Sequence, residues 1–303
     1  MRRAWLVAPL AGACIAVGCA SLNDLSGGAL GDRAAENVRK VGENAVDSAA
    51  RGDLGKSATF SMEQEFHLGK TIAANVVARL GGRALPPEHE VARYVRNIGT
   101  AVALAAAEQR VESDRPYPLN GYRFLLVDSL QINAVGMPGG FVAVTTGALR
   151  AARSEDEVAA ILAHEVAHVQ RGHAMRPVER AREQEHLTET LLAGTDDVVH
   201  AFFGKVVTLG ADFVLDKGFG KADELEADAF AARVLEGVGY DRAALARFLG
   251  RLEGKSAQGG FFSRHPPAAD RVAALRDGGR VVLVSSIPSQ RASRFEARLR
   301  PLQ

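Results

Sequence analysis

The chain has 303 residues, of which 47% are hydrophobic and 24% charged, and its formal net charge is +1. This size suits one large globular domain or two small ones. The near-neutral charge, without a run of lysine and arginine, excludes the electrostatic signature of a nucleic-acid-binding protein. The two cysteines, Cys14 and Cys19, lie at the N-terminus, so a processed chain has no internal disulfide and no zinc site built from thiolates. A metal would have to be held by histidine and carboxylate.

The N-terminal segment "MRRAWLVAPLAGACIAVGCA" has two arginines and then a short apolar stretch. That stretch is shorter than the roughly 20 residues that cross a bilayer, so residues 1–18 are predicted to be a secretory signal peptide. "AVGC" resembles the cleavage box of bacterial lipoproteins, although Ala16 stands where leucine is more usual, and Cys19 would become the lipidated first residue. Ala20, rather than aspartate, after the cysteine favours an outer-membrane lipoprotein facing the periplasm. Ordinary secretion, with Cys19 incidental, is the alternative.

The next segments predict a tether, two helices and two strands. Residues 19–56 are rich in Gly, Ala, Ser, Asn and Asp, which predicts a flexible tether. Ser61 begins a helix that runs to about Leu80 and ends at two glycines, and a second helix is predicted for about 88–109. "GYRFLLVDS" and "GGFVAVTTG" are predicted strands, with "QINAVGMPGG" connecting them.

The stretch "SEDEVAAILAHEVAHVQRGH" predicts one helix over 154–173, which Ser154 and Glu157 begin as a capping box. Its apolar residues recur at helical spacing with alanines between them, so it should be buried on most sides. Residues 174–220 contain helical patches, but charged residues interrupt each apolar run, so no membrane span fits there. An ordinary helical excursion is expected, and a cover over the active site or a membrane-facing surface is the alternative. Three further helices are predicted for about 222–238, 242–252 and "HPPAADRVAALRDG", and residues 281–303 as a strand followed by a loose basic tail.

The buried helix carries a candidate metal site. His164 and His168 stand four residues apart and so lie on one face, with Glu165 beside them. This HExxH pattern is typical of two imidazoles on a zinc ion and a carboxylate that activates water. Burying these groups without partners would be costly, so a bound zinc ion is expected to stabilise them.

A third ligand is expected in "KADELEADAFAARVL". Glu224 and Asp228 share a helix face that apolar residues continue, so this face should point inward. An inward carboxylate pair needs a cation or strong donors. Glu224 on the metal, with Asp228 accepting a proton from a ligand imidazole, would satisfy both groups. His173 falls off the face shared by His164 and His168, so it is not expected to be a ligand.

These motifs together resemble a known family. HExxH, followed some 56 residues later by ExxxD within "ELEADAFA", is similar to the HtpX-like zinc metallopeptidases, the gluzincins that include the CAAX prenyl proteases. "INAVGMPGGFVAVTTGAL", the segment 65–69 and "SRHPPAADRVAAL" resemble further landmarks of that family. The lipoprotein box, without membrane helices or tetratricopeptide repeats, favours its periplasmic BepA-like or Oma-type branch. The resemblance implies an α+β fold, with a mainly helical zincin domain over 57–280 and a small, mostly antiparallel sheet beside the HExxH helix.

The resemblance also implies roles for individual residues. One zinc ion per chain would be held by His164, His168 and Glu224, with Glu165 as the catalytic base. His265, in "SRHPPAAD", would lie close to the metal cleft. There it would donate to the oxyanion, or occupy the open zinc position and hold the enzyme latent. The alternative is a residue in an extended turn, since proline restricts its predecessor to extended geometry.

The expected function is that of a membrane-anchored zinc metalloendopeptidase acting on extended or unfolded polypeptides, such as misfolded or unassembled envelope proteins. Substrate is expected along an edge strand formed by Gly140, Phe141, Val142 and Ala143, although a packed interior strand is the alternative. A zinc-stabilised chaperone or assembly factor is a second hypothesis, which the base Glu165 disfavours. A zinc hydrolase acting on lipid or peptidoglycan is a third.

Overall fold

The computed structural model describes residues 60–180, 206–252, 268–277, 289–299 and 302. The elements used below are α1 (Met62–Leu80), α2 (Glu90–Glu108), β1 (Arg123–Val127), β2 (Ala134–Met137), β3 (Phe141–Thr145), α3 (Thr146–Ala151), α4 (Glu155–Gln170), α5 (Lys221–Val238), α6 (Ala244–Leu252), α7 (Ala268–Asp277) and α8 (Ser289–Leu299). This mainly helical α+β architecture with a small sheet confirms the predicted fold class. The predicted signal peptide, the tether, Cys19 and His265 lie outside the described residues.

Local capping signals set the ends of the predicted helices. At the start of α1, the Ser61 hydroxyl accepts from the Gln64 N–H, and the Gln64 side chain accepts from the Ser61 N–H. The same helix ends at Gly81, as predicted. At the start of α4 the Ser154 hydroxyl accepts from the Glu157 N–H, but the Glu157 carboxylate accepts from the N–H of Arg153. The predicted capping box is therefore shifted by one residue on its acidic side.

The sheet has three strands in the order β1-β3-β2, with β3 parallel to β1 and antiparallel to β2. It is therefore mixed, and the expectation of a mostly antiparallel sheet is wrong in this respect. Strand β2 lies within the segment predicted as a connection. It has only four residues, all of them buried, so it shows no alternation of apolar and polar side chains that would mark a strand.

The predicted substrate strand is not an edge. Strand β3 lies at the centre of the sheet and pairs on both sides, so its main chain is not open to a peptide. Gly140, Phe141, Val142 and Ala143 are all buried. The prediction of an edge strand is therefore wrong, and the alternative of an interior strand is correct. The physical reason is the uniformly apolar sequence, which is typical of a strand covered on both faces.

Helix α4 occupies the centre of the described fold, and all 16 of its residues are buried. It packs against α2, α5 and α6 on the helical side and against β2 on the other. The approach to β2 depends on Gly136, because a Cβ there would lie 2.5 Å from the carbonyl oxygen of Glu165. A side chain at this position would push the strand away from the helix. The backbone of β2 is thus held directly against the HExxH segment.

Residues near the C-terminus depart from the expected loose tail. Helix α8 packs on α2 and α4, and Leu299 at its end is buried. Its arginines pair with acidic groups of the helical core, including Arg294 with Glu155. The prediction of a loose tail is wrong. The acidic partners that hold α8 are distant in the sequence, so no local pattern indicates them. The strand predicted near 281–286 lies outside the described residues.

The segment 174–220 is described in part. Residues 206–217 are helical, and their last turn is a π-helix, Phe213–Lys217. Within the described residues, no helix combines the length and apolar character that crossing a membrane requires.

Candidate active site

Helices α4 and α5 bring together three of the predicted site residues. His164 and His168 lie on successive turns of α4, and Glu224 lies in the first turn of α5; all three are fully buried. The two Nε2 atoms are 3.0 Å apart, and each lies 3.4 Å from a carboxylate oxygen of Glu224. Two imidazole nitrogens and one carboxylate therefore converge on one point.

This donor set fits a zinc ion. Its ligand atoms all lie within 4.8 Å of one another. Zinc bonds to histidine nitrogen and carboxylate oxygen at about 2.0–2.2 Å, which places tetrahedral ligands about 3.3 Å apart. The observed separations are close to that value. Three protein ligands of the imidazole and carboxylate types are also the number typical of catalytic zinc sites.

Asp228 contacts the Nδ1 of His164, whereas the Nε2 of that ring faces Glu224. Its Oδ1 is 2.9 Å from the Nδ1 of His164, so it accepts that proton and turns the Nε2 of the ring toward Glu224. Burial raises the pKa of Asp228, but Arg271 and His164 outweigh burial and lower it to about 2. Burial and Arg271 lower the pKa of His164, yet the two carboxylates outweigh them and raise it to about 9. Burial lowers the pKa of His168.

Arg271 is a site residue that the sequence reasoning missed. It is fully buried, and its Nε and Nη2 donate to the two oxygens of Asp228 at 2.7 and 2.5 Å. Its Nη1 lies 3.3 Å from Glu224. A signal was available, because Arg271 precedes the buried Val272 and shares a face of α7 with the partly buried Leu275. An arginine on an apolar helix face needs a buried acidic partner.

Glu165 lies between α4 and the sheet. It is 1% exposed, and its Oε2 accepts a hydrogen bond of 2.7 Å from the N–H of Gly136. Its Oε1 is buried without a hydrogen-bond partner among the residues that the structure describes. Gly136 belongs to β2, an edge strand of the described sheet, and its N–H points away from β3 toward Glu165. The carboxylate therefore stands beside an edge of the sheet.

Two further side chains surround His168. The ring of Phe219 stacks on it, with the centroids 3.9 Å apart and the planes 15° from parallel. His173, which the sequence reasoning did not select, places its Nδ1 2.9 Å from the Nδ1 of His168. Burial and the neighbouring His168 lower the pKa of His173.

Comparison with known proteins finds matches among peptidases. A family model described as "Peptidase family M48" matches residues 92–278, more than half of the chain. The β-barrel assembly-enhancing protease of Escherichia coli (strain K12) is 27% identical over 243 residues, which cover 77% of this chain and 46% of that protein. The mitochondrial metalloendopeptidase OMA1 of Schizosaccharomyces pombe is 24% identical over 221 residues, covering 72% and 61%. A protease HtpX homolog of Janthinobacterium sp. (strain Marseille) is 31% identical over 179 residues, covering 45% and 57%. The chain spans less than half the length of the β-barrel assembly-enhancing proteases that it matches.

Proposed function

Because the chain belongs to peptidase family M48 and is a metalloendopeptidase, we propose that it hydrolyses peptide bonds with one zinc ion held by His164, His168 and Glu224. The convergence of two imidazole nitrogens and one carboxylate at a fully buried point carries this proposal. A bound zinc ion supplies Lewis-acid polarisation of the scissile carbonyl and lowers the pKa of water. Such a buried position strengthens electrostatic interactions relative to those in water.

Glu165 acts as the general base in this proposal. Its buried Oε1 has no hydrogen-bond partner among the described residues, so an oxygen is available to take a proton from the attacking water. The same oxygen then passes the proton to the departing amine. The Oε2 is held by the Gly136 N–H, which fixes the direction of the carboxylate. Asp228 keeps the Nδ1 of His164 protonated and its Nε2 available to a metal.

The substrate is proposed to be an extended polypeptide along the outer edge of β2. An edge strand offers main-chain hydrogen bonds to any peptide and selects little among side chains. Strand β2 replaces the interior strand β3 in this role, because β2 lies at the edge and beside Glu165. A peptide along this edge, with the Gly136 N–H left to Glu165, would bring its backbone next to the base.

The cellular setting is also a proposal. We infer a lipid anchor at Cys19, attachment to the outer membrane on its periplasmic side, and misfolded or unassembled envelope proteins as substrates. The N-terminal sequence motif supports the anchor, and relatives named for β-barrel assembly support the substrates. The Cys19→Ser substitution should convert a membrane-associated protein into a soluble or unprocessed one. Wild-type protein that is already soluble in the periplasm would contradict the anchor.

Casein cleavage by the Glu165→Gln protein tests the mechanism. We expect turnover to fall about 10²–10⁴-fold with zinc content and fold retained, because the base is lost and no ligand is changed. The Glu236→Gln protein, altered at an exposed position on α5, is the matched control and should cleave at the wild-type rate. Cleavage by Glu165→Gln at close to the wild-type rate would refute Glu165 as the base.

A further inference from the structure

His173 is held against His168 by the way helix α4 ends. Gly172 adopts a left-handed conformation, with φ 73°, and the N–H of His173 donates to the carbonyl of His168 at 3.0 Å. This is the Schellman arrangement, in which the residue after the glycine commonly makes an apolar contact with the last helical turn. Here that contact is between two imidazoles. The backbone itself therefore brings the ring of His173 to the ring of His168.

The hydrogen bond between the rings has a definite direction when His168 binds a metal. A neutral imidazole carries one proton, on one of its two nitrogens. If the Nε2 of His168 binds a metal, its Nδ1 carries the proton and donates across 2.9 Å to the Nδ1 of His173. The Nε2 of His173 then carries that ring's proton. This atom lies 3.4 Å from the Glu226 Oε2 and 3.6 Å from the Asp223 Oδ1, and at these distances the two negative charges favour a proton there although no hydrogen bond is formed.

From this geometry we propose that His173 is a positioning residue that orients His168 on the zinc ion, with the charges of Asp223 and Glu226 favouring its Nε2–H tautomer. The inference rests on the proposed zinc function. It makes the two ligand histidines unequal: Asp228 holds His164 directly, whereas a neutral imidazole holds His168. Partners of this kind orient a ligand ring and raise its basicity, and losing one typically costs 10–100-fold in metal affinity.

A second metal ion is the competing explanation for this cluster. His173, Asp223 and Glu226 could together offer three ligand atoms. One chemical requirement of the hydrogen-bonded chain and one observation argue against a metal ion here. The Nε2 of His173 must carry a proton while its Nδ1 accepts from His168, and a protonated nitrogen cannot bind a metal. Both acids also already contact arginines, Arg176 with Asp223 and Arg171 with Glu226.

Three substitutions of His173 test the proposal through zinc affinity, measured on the full-length purified protein by competition with a chelator. His173→Leu removes the acceptor, and zinc affinity should fall 10–100-fold. His173→Asn places an amide oxygen near the former Nδ1, so it should recover most of the affinity. His173→Gln places its oxygen near the former Nε2 and should not. In the cobalt-substituted protein, the visible spectrum of His173→Leu should differ from that of the wild type, and the spectrum of His173→Asn should match it.

The outcomes separate this inference from the function on which it rests. Wild-type affinity in the His173→Leu protein, with lowered stability alone, would overturn the positioning role and leave the zinc peptidase intact. A second equivalent of zinc in the wild type that disappears in His173→Leu would also overturn it, in favour of a metal site. No zinc binding by the wild type would overturn both proposals. If His173→Leu does not fold, the comparison of His173→Asn with His173→Gln decides. A zinc affinity at least tenfold higher in His173→Asn supports the positioning role, and equal zinc affinities refute it.

Discussion

The two ends of helix α4 both bury polar side chains, and they satisfy them in different ways. At the N-terminal end, Glu155, Asp156 and Glu157 are at most 3% exposed. Each accepts hydrogen bonds from the protein itself. The donors are the hydroxyls of Tyr94 and Tyr240, the guanidinium groups of Arg294, Arg251 and Arg291, and the main-chain N–H groups of Asp241 and Arg153. Burial and the Glu155 charge raise the pKa of both tyrosines, which keeps their hydroxyls protonated as donors.

The C-terminal end brings ligand atoms together instead. The Nε2 atoms of His164 and His168 and the carboxylate of Glu224 face one another, with separations of 3.0–3.4 Å. The protein's own cation nearby, Arg271, is directed mainly at Asp228. The difference teaches how to distinguish two kinds of buried polar cluster. One whose members accept hydrogen bonds from the chain's own donors is structural, whereas one whose ligand atoms converge on a point could hold a cation from outside.

The largest effect is expected from a substitution in the cluster at the C-terminal end of α4. Glu224→Ala removes one of the three proposed ligands, and zinc affinity should fall by more than about 100-fold, beyond the loss typical of a residue that only orients a ligand. Metal analysis and chelator competition measure this. Full zinc content in the variant would place the third ligand elsewhere. Glu236→Ala, at an exposed position on the same helix, is the control.

The next effect concerns Arg271, the cation that pairs with Asp228. Arg271→Met leaves the buried Asp228 charge without its bidentate partner, and should cost the metal-free protein about 3–5 kcal/mol in unfolding free energy. Urea denaturation with a chelator present measures it. Arg271→Lys should recover only part of that loss, because an ammonium group cannot form the paired hydrogen bonds. Unchanged stability in Arg271→Met would show that Asp228 finds other donors.

A smaller effect is expected at the N-terminal end. Glu155→Gln keeps the shape of the side chain but weakens its bonds to Arg294 and the two tyrosines, and should cost about 1–3 kcal/mol in unfolding free energy. Zinc affinity should stay within about twofold of the wild type, since this cluster lies in the first turn of α4 and the proposed ligands of α4 lie toward its other end. A large loss of zinc affinity in this variant would mean that the two ends are coupled, and would contradict the distinction between them.

The sequence predicted the parts of the fold that local signals determine. Helices α1 and α4 begin at the expected residues and α1 ends where expected, because Ser61, Ser154 and Gly81 act on neighbours a few residues away. Strand β2 was missed because four buried residues carry no periodic pattern. The centre of the sheet was assigned wrongly because strand order depends on pairing between distant segments. Helix α8 was missed because its acidic partners belong to α2 and α4.

The candidate site was predictable where periodicity alone places side chains on one face. That covers His164 with His168, and Glu224 with Asp228, which the structure brings together across α4 and α5. Arg271 and His173 escaped the same reasoning. The first enters from a helix 43 residues beyond Asp228. The second reaches His168 because the chain reverses at Gly172, which places it outside the helical periodicity.

The most direct test of the account is the zinc dependence of unfolding in the wild type and in Glu224→Ala. If a zinc ion balances the C-terminal end of α4, the free energy of unfolding of the wild type should rise with free zinc, by about 2.7 kcal/mol at a concentration 100 times Kd. The Glu224→Ala protein should show no such rise over the same range. A wild-type unfolding free energy that does not depend on zinc, or an equal rise in both proteins, would contradict the account.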